Sequence, residues 1–449
     1  MKKYIIHLMV ILFFGACKIG HKYEGSQINM PDKFAEHTLD STNLANKEWW
    51  KIFNDTILEG YIKEAIANNR NLQIAIARVE EFRQNNRIAK SDLYPAISLN
   101  GETDSEKVKS EDASNDTELF VGLSWELDLW GRIRWQRDAA LADYLATEEA
   151  KSAVLQSLIV DVANTYFELT AYKTELEIVY RTQKAREEGV RLAKLRYLGG
   201  LTSETPYRQA ESQLANTLTL IPDVKFKIMS SHNRLATLMG KFPEDSIVAT
   251  SLKQYKVPDT IPMGLPSELL IKRPDIRQAE QEVIAANAEV GVALTNMFPK
   301  ISLTAEAGVK SSDLSNLFSS PYRYLSAQLF NPIFNAGAYK ARQKAAQAVL
   351  KQKILAYDQV VFKSFEETSN ALGAIKKFKK VRSSLEYLEE LARGYLELAE
   401  LQHINGVVNY IDVLDAQRVL FDAELRLNNA IRDEKIAYTQ LYKALGGGW

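Results

Sequence analysis

The stretch "NMFPKISL", residues 296–303, ends one kind of structure and begins another. The run before it, "RPDIRQAEQEVIAANAEVGVALT" (273–295), has helical spacing. The run after the proline, "KISLTAEAGV" (300–309), alternates with period two: Ile301, Leu303, Ala305, Ala307 and Val309 share one side, Ser302, Thr304 and Glu306 the other. That alternation predicts a strand with one apolar and one polar face. A near copy, "SDLYPAISL" (91–99), stands behind another helical run. In both, proline disfavours helix for the residue before it and lacks the N–H that an interior strand position needs, so Pro95 and Pro299 mark helix-to-strand junctions.

Working outward, each junction is followed by a hairpin. Strands are expected at about 95–103 and 117–128, joined by the charged loop "DSEKVKSEDASND" (104–116), and at about 299–309 and 322–331, joined by a Ser-rich loop. Beyond each hairpin lies a proline-free run, Arg132–Leu198 and Gly337–Ile404. At ~1.5 Å per residue each predicts a helix of roughly 100 Å, where globular helices average about eleven or twelve residues. "LGGLTSETP" turns the first, with Thr205 as the expected N-cap and Pro206 at N1, and Pro222 is expected to kink or break the return helix. "NGVVN" turns the second, and a last helix runs to about Leu445.

Pro95 and Pro299 stand 204 residues apart, Gly131 and Gly337 206, and Gly200 and Gly406 206. The spacing is that of a tandem duplication. The organisation it gives is a leader (1–16), a linker (17–53), a first repeat (54–240), a Pro-rich connection (241–266) and a second repeat (267–449). The fold class is mixed α and β, mainly α. A helix starts at Asn54 or Asp55, and Trp49-Trp50 pack the amino-terminal segment against the helical body.

Four strands cannot close a barrel, for which about eight is the practical minimum. An open sheet facing lipid would leave backbone groups unsatisfied. The alternating strands therefore fit a membrane barrel shared between chains; two copies are too narrow for water, and three give twelve strands. The long helices must pack on one another, which describes a conduit.

The amino terminus carries Met1-Lys2-Lys3, a short apolar run from Ile5 to Phe14, and Phe14-Gly15-Ala16 directly before Cys17, the single cysteine in 449 residues. The run is too short to span a bilayer but suits a signal peptide. The small residues before Cys17 resemble a lipoprotein box, with Phe where Leu is usual; an ordinary signal peptide with an incidental cysteine is the competing reading. A lipidated Cys17 would tether the chain to a membrane. No later apolar run approaches twenty residues.

Fifty-six basic residues against 57 acidic ones, with no basic aromatic patch, leave no footprint for nucleic acid. Enzyme signals are missing. His21, His37, His232 and His403 are scattered, and there is no HExxH, phosphate-cradling glycine loop or nucleophile elbow, so no cofactor or metal site is expected. Trp125, Trp130, Tyr322 and Tyr324 flank the strands as candidates for interfacial girdles or ordinary packing.

"EWWKIFNDTILEGYIKEAIANNRNLQIAIARVEEFR" (48–83), "LSWELDLWGRIRW" (123–135), "KRPDIRQAEQEVIAANAEVGVALTNMFPKISL" (272–303) and "IDVLDAQ" (411–417), in this order and spacing, resemble the TolC-type outer-membrane efflux factors, in their lipoprotein branch serving resistance-nodulation-division pumps. The resemblance implies a trimer with a twelve-stranded outer-membrane barrel and a periplasmic α-helical barrel. It implies a passive exit duct, driven by an inner-membrane antiporter and joined through a periplasmic adaptor.

Asp412 and Asp415 sit three apart at the start of the last helix, where acidic side chains suit the helix dipole in any protein. They match the acidic pair that lines the periplasmic entrance in the family, which implies six carboxylates around an opening that welcomes cations. The resemblance implies a gate closed by bonds between neighbouring helical hairpins; the arginine that takes part in one member, four residues before the first Asp, is here Val408, and the first-repeat loop carries Thr205 where an acidic residue can sit. Gly199, Gly200 and Gly406 suit plain turns, and these tips are also where the resemblance expects adaptor contact. The rival readings are a periplasmic adaptor, which needs one hairpin inside a lipoyl-like β-module, and a lipid-tethered helical scaffold without a pore.

Overall fold

The structure is a computed structural model that describes residues 18–25, 50, 53–106, 114–243 and 268–447. The leader, Cys17, Trp49 and nearly all of the connection at 241–266 lie outside the described residues. In chain order the elements are α1 (Thr56–Asn68), α2 (Arg70–Ser91), β1 (Ala96–Glu106), β2 (Ser114–Leu127), α3 (Arg132–Leu198) and α4 (Glu204–Leu238). Then come α5 (Glu268–Lys272), α6 (Pro274–Thr295), β3 (Lys300–Ser311), a 3-10 turn (Leu314–Ser319), β4 (Pro321–Phe330), α7 (Ala338–Ile404) and α8 (Tyr410–Ala444).

The duplication reaches element length and backbone conformation. α3 and α7 each have 67 residues, and α4 and α8 each have 35. Gly131, Gly200 and Gly240 have φ of 86°, 68° and 71°; their counterparts Gly337, Gly406 and Gly446 have 81°, 75° and 72°. These are left-handed values that end or turn a helix at little cost only for glycine.

The chain forms two compact units. One comprises Ile76–Ala150 and Asp275–Val360 with the amino-terminal residues, and the other Lys151–Pro274 and Val361–Trp449 with Met30–Ala75. Each draws on both repeats.

In the first unit the two hairpins join into a four-stranded antiparallel sheet, β1-β2-β3-β4. β2 pairs with β3 so that Val121 faces Ala307 and Leu123 faces Ala305. The alternation puts Ile97, Leu99, Val121, Leu325 and Leu329 on one face, all exposed. The other face carries a cross-strand ion pair of Glu118 with Lys310, and the Tyr322 hydroxyl lies 3.4 Å from Glu118 and 3.5 Å from Glu306. Tyr322 therefore stands on the polar face and Tyr324, opposite Glu306, stands with it; neither belongs to a girdle on the apolar side.

Trp125 and Trp130 hold the helix-to-strand junctions. The Trp125 indole donates to the Leu93 carbonyl at 3.1 Å, just before Pro95, and Trp130 donates to the carbonyl of Pro299 itself at 2.7 Å. Trp130 also stacks on Phe298, with centroids 5.4 Å apart. Below them Trp135, Ala139, Ala288 and Val292 make a small core, where a methyl on Gly291 would collide with the Trp135 ring. Residues just after Cys17 dock here. The Lys18 ammonium pairs with Asp138 and sits 3.3 Å over the Trp135 ring, and Trp135 donates to the Ile19 carbonyl at 2.7 Å.

In the second unit Asp55 caps α1, accepting from the Ile57 and Leu58 amides at 2.8 and 3.2 Å, and takes the buried Tyr166 hydroxyl at 2.7 Å. Phe53 meets Phe167 edge-on at 5.0 Å, and Trp50 is buried. Asn69 breaks the helical run between α1 and α2 because its own side chain accepts from the Leu72 amide at 3.0 Å.

Two expectations are corrected. Pro222 does not break the return helix: α4 runs through it unbroken. A proline removes one backbone hydrogen bond, and the buried residues Thr217, Val224 and Leu235 on either side hold the helix. The N-cap of α4 is Ser203, not Thr205, which is the second helical residue. Pro206 then still falls among the first-turn positions whose N–H has no helical partner. No helix among the described residues is long and apolar enough to cross a membrane.

Candidate functional site: the hairpin tips

α3 and α7 end in the same kind of turn. After α3 the Leu201 amide reaches the Arg196 carbonyl at 2.9 Å, and after α7 the Val407 amide reaches the Gln402 carbonyl at 2.9 Å. Gly200 and Gly406 supply the left-handed step, while Gly199 keeps an ordinary backbone. Gly199 and Gly200 thus stand at the tip of the first long hairpin with Thr205 in the first turn of α4, and Gly406 and Val408 stand at the tip of the second.

Each carboxylate at the start of α8 already has a partner in its own chain. Asp412 closes a capping box: the Asn409 amide donates to its Oδ2 at 3.0 Å, and the Asn409 side chain accepts in return. That partnership is worth about 1 kcal/mol to the helix. Asp415 accepts from Arg418 at 2.6 Å, an exposed pair three residues apart. Both remain at the surface and near the helix N-terminus, so both can face a cation without being unburied.

Inward from the turns the packing is small-residue and tight. Ala193, Ala210 and Leu414 form one cluster with Val190, Tyr207 and Tyr410 against it; Ala399, Val413 and Ala416 form the next. Gly189 lets Tyr410 lie on α3, for a methyl there would run into the Tyr410 hydroxyl. Burial, and then the charge of Glu400, push the Tyr410 hydroxyl up from its ordinary range. Tyr197 stacks on Tyr207 at 6.2 Å.

Farther along, Glu424 on α8 ties Arg181 of α3 to Arg393 of α7, with the Arg393 contact at 3.0 Å. A cavity of about 230 Å³ opens beside it, lined by Arg186, Gln417 and Phe421 among others. Arg186 is buried and donates to the Gln213 carbonyl at 2.7 Å; its guanidinium lies 5.4 Å from the Phe421 ring centre, and burial lowers its pKa. Among the described residues no group of His, Cys, Asp and Glu is arranged to hold a metal ion.

Sequence reasoning missed Arg196 and Tyr410, and reads His403 only as one of four scattered histidines. A signal existed: Tyr197 and His403 are 206 residues apart, equivalent positions in the last turns of α3 and α7 where a histidine stands alone.

The outer membrane efflux protein family matches the chain twice, over residues 61–241 and 265–447. The chain is 36% identical over 411 residues to the solvent efflux pump outer membrane protein SrpC of Pseudomonas putida, covering 89% of this chain and 87% of that one. It is 32% identical to the cation efflux system protein CusC of Escherichia coli strain K12, covering 99% of each. Its structure is similar to the open state of the MtrE outer membrane channel of Neisseria gonorrhoeae, with a TM-score of 0.90 at 29% identity over 96% of this chain and 98% of that one. Matched in both halves and aligned with such relatives along most of their length, the chain belongs to the outer membrane efflux protein family.

Proposed function

We propose that three copies of this chain close a twelve-stranded outer-membrane barrel and pack their long helices into a periplasmic α-helical barrel. The assembly is a passive exit duct. An inner-membrane resistance-nodulation-division antiporter drives it, and a periplasmic adaptor joins the two by gripping the tips around Gly199, Gly200, Thr205, Gly406 and Val408. Cys17 carries lipid and anchors the chain in the outer membrane. Asp412 and Asp415 from three chains form an acidic ring at the entrance.

The observation that carries this reading is the sheet. β1 and β4 each pair on one side only within the chain, while one face is apolar and exposed. In water such edges invite aggregation, and in lipid they are not tolerated; closure by further copies removes them. The polar face, with Glu118, Lys310 and Glu306, then lines water. Export needs no chemistry from the duct, since the energy enters at the antiporter.

The test is single-channel current from the detergent-extracted protein in a planar bilayer, with native mass measured on the same preparation. A trimer that conducts supports the duct. A monomer removes the shared barrel, whatever the current shows.

A further inference from the structure

His403 closes α7, and its ring bridges the two hairpins. Nη1 of Arg196, in the last turn of α3, lies 2.9 Å from His403 Nε2, and His403 Nδ1 lies 3.1 Å from the Val408 carbonyl oxygen. A guanidinium only donates and a carbonyl only accepts. Both contacts are attractive in a single protonation state, the neutral ring with its proton on Nδ1. The ring therefore takes a hydrogen bond from one long helix and gives one to the turn beyond the other.

A second proton can go only to Nε2, where it would point at Arg196. The contact would become two cations face to face. Imidazole is the side chain that makes this change under mildly acidic conditions. The surrounding titratable groups come from every neighbouring helix. α8 brings Tyr410, its ring 5.4 Å from the histidine, and Asp412 and Asp415, held by Asn409 and Arg418. α4 brings Tyr207, bonded to Glu211 at 2.5 Å. On α7 itself Glu400 stands three residues before His403, one turn back along the helix. Among the described contacts, Arg196 is the partner of Nε2.

We propose that Arg196 and His403 form a proton-sensitive latch between the two hairpin tips, which ties α3 to α7 at neutral pH and releases them on mild acidification. His403 also bonds the Val408 carbonyl, so the latch joins α3, α7 and the turn before α8. Its consequence for flow, a wider entrance in acid, rests on the duct proposed above.

Two readouts on the full-length trimer separate the latch from the duct. The first is conductance at about pH 7.5 and about pH 5.5, the range over which an imidazole changes charge. Wild type should conduct severalfold more at the lower pH. His403→Gln keeps an acceptor but does not titrate, and should stay at the neutral-pH level throughout. Arg196→Gln should already conduct at the acid level. The second readout is the distance between spin labels at Leu198→Cys and Ile404→Cys, both exposed positions, in a Cys17→Ser background. That distance should lengthen in acid and be unchanged by acid when His403→Gln is added. A pH response that persists in His403→Gln overturns the latch, as does a wild type whose current and distance ignore pH. Labels that part in acid while no current flows would keep the latch and remove the duct.

Discussion

Asn69 and Arg273 make the same contact in the two repeats. Asn69 Nδ2 donates to the Leu238 carbonyl at 2.9 Å, and Arg273 Nη1 donates to the Ala444 carbonyl at 3.0 Å. Each carbonyl belongs to the last residue of a return helix, where backbone acceptors lack a helical partner. Arg273 also holds Glu367 at 2.7 Å and is itself buried. Asn69→Ala strands the Leu238 carbonyl, at about 1–2 kcal/mol, whereas Arg273→Ala leaves the Ala444 carbonyl the Thr368 hydroxyl at 3.3 Å but still costs about 2–3 kcal/mol, because the lost bonds are charge-assisted. Thermal unfolding in detergent should rank them wild type, Asn69→Ala, Arg273→Ala.

Gly189 and Tyr410 should couple. A methyl at residue 189 meets the tyrosine hydroxyl but lies 3.5 Å from Cζ, an ordinary contact. Gly189→Ala alone should therefore destabilise by about 1–3 kcal/mol, the usual range for overpacking. Tyr410→Phe removes the obstructing oxygen, so the double variant should recover much of the loss. A double-mutant cycle on melting temperature reads the coupling; strict additivity would refute this packing.

Lys435 gives the helical unit a pH dependence. Burial pushes its ammonium down to about 8, with Arg382 assisting and Glu434 opposing. An unfolded lysine titrates near 10.4. Between about pH 8 and about pH 10 the unfolded chain thus holds a proton that the folded chain has released, and stability rises with pH. Below about pH 8 both states are protonated, and the folded state bears the full cost of a buried charge. Lys435→Met should lack the rise, as melting temperatures across that window would show.

The acidic entrance makes a separable prediction. Asp415→Asn should weaken cation preference in planar bilayers while leaving stability within about 0.5 kcal/mol, because its bond to Arg418 is an exposed pair. Asp412→Ala should lower selectivity and also cost about 1 kcal/mol, through the lost capping box. Asp412→Ala/Asp415→Ala should abolish the preference. Unchanged selectivity in the double variant would leave both carboxylates a structural role only.

The hairpins, the proline junctions and the long helices were legible because each follows from periodicity or from one residue's backbone limits. Pro95 and Pro299 act locally, and local rules found them. Pro222 obeys the same rule and breaks nothing, because α4 is held by its buried face, Thr217 and Val224 on either side of the proline among it, and burial is not a local property. Thr205 lost the cap to Ser203, a competition among adjacent hydroxyls that composition does not settle. The bonds from Trp125 and Trp130 to the junctions join residues 32 and 169 positions apart, and no spacing rule reports those. At the tips, the two aspartates were visible as a pair, but their partners were not read, although Asn409 and Arg418 stand only three residues away. Arg196 and His403, 207 residues apart, meet only because two helices of equal length end side by side.

The unpaired edges of the sheet also govern how the protein comes to exist. Lysine-free β1 and Pro321-led β4 present half their backbone groups to whatever arrives first, so a lone chain cannot finish its sheet. Folding of this region and assembly are then one concentration-dependent reaction. The interval before the copies meet is when a newly exported chain is most exposed to pairing with a wrong edge.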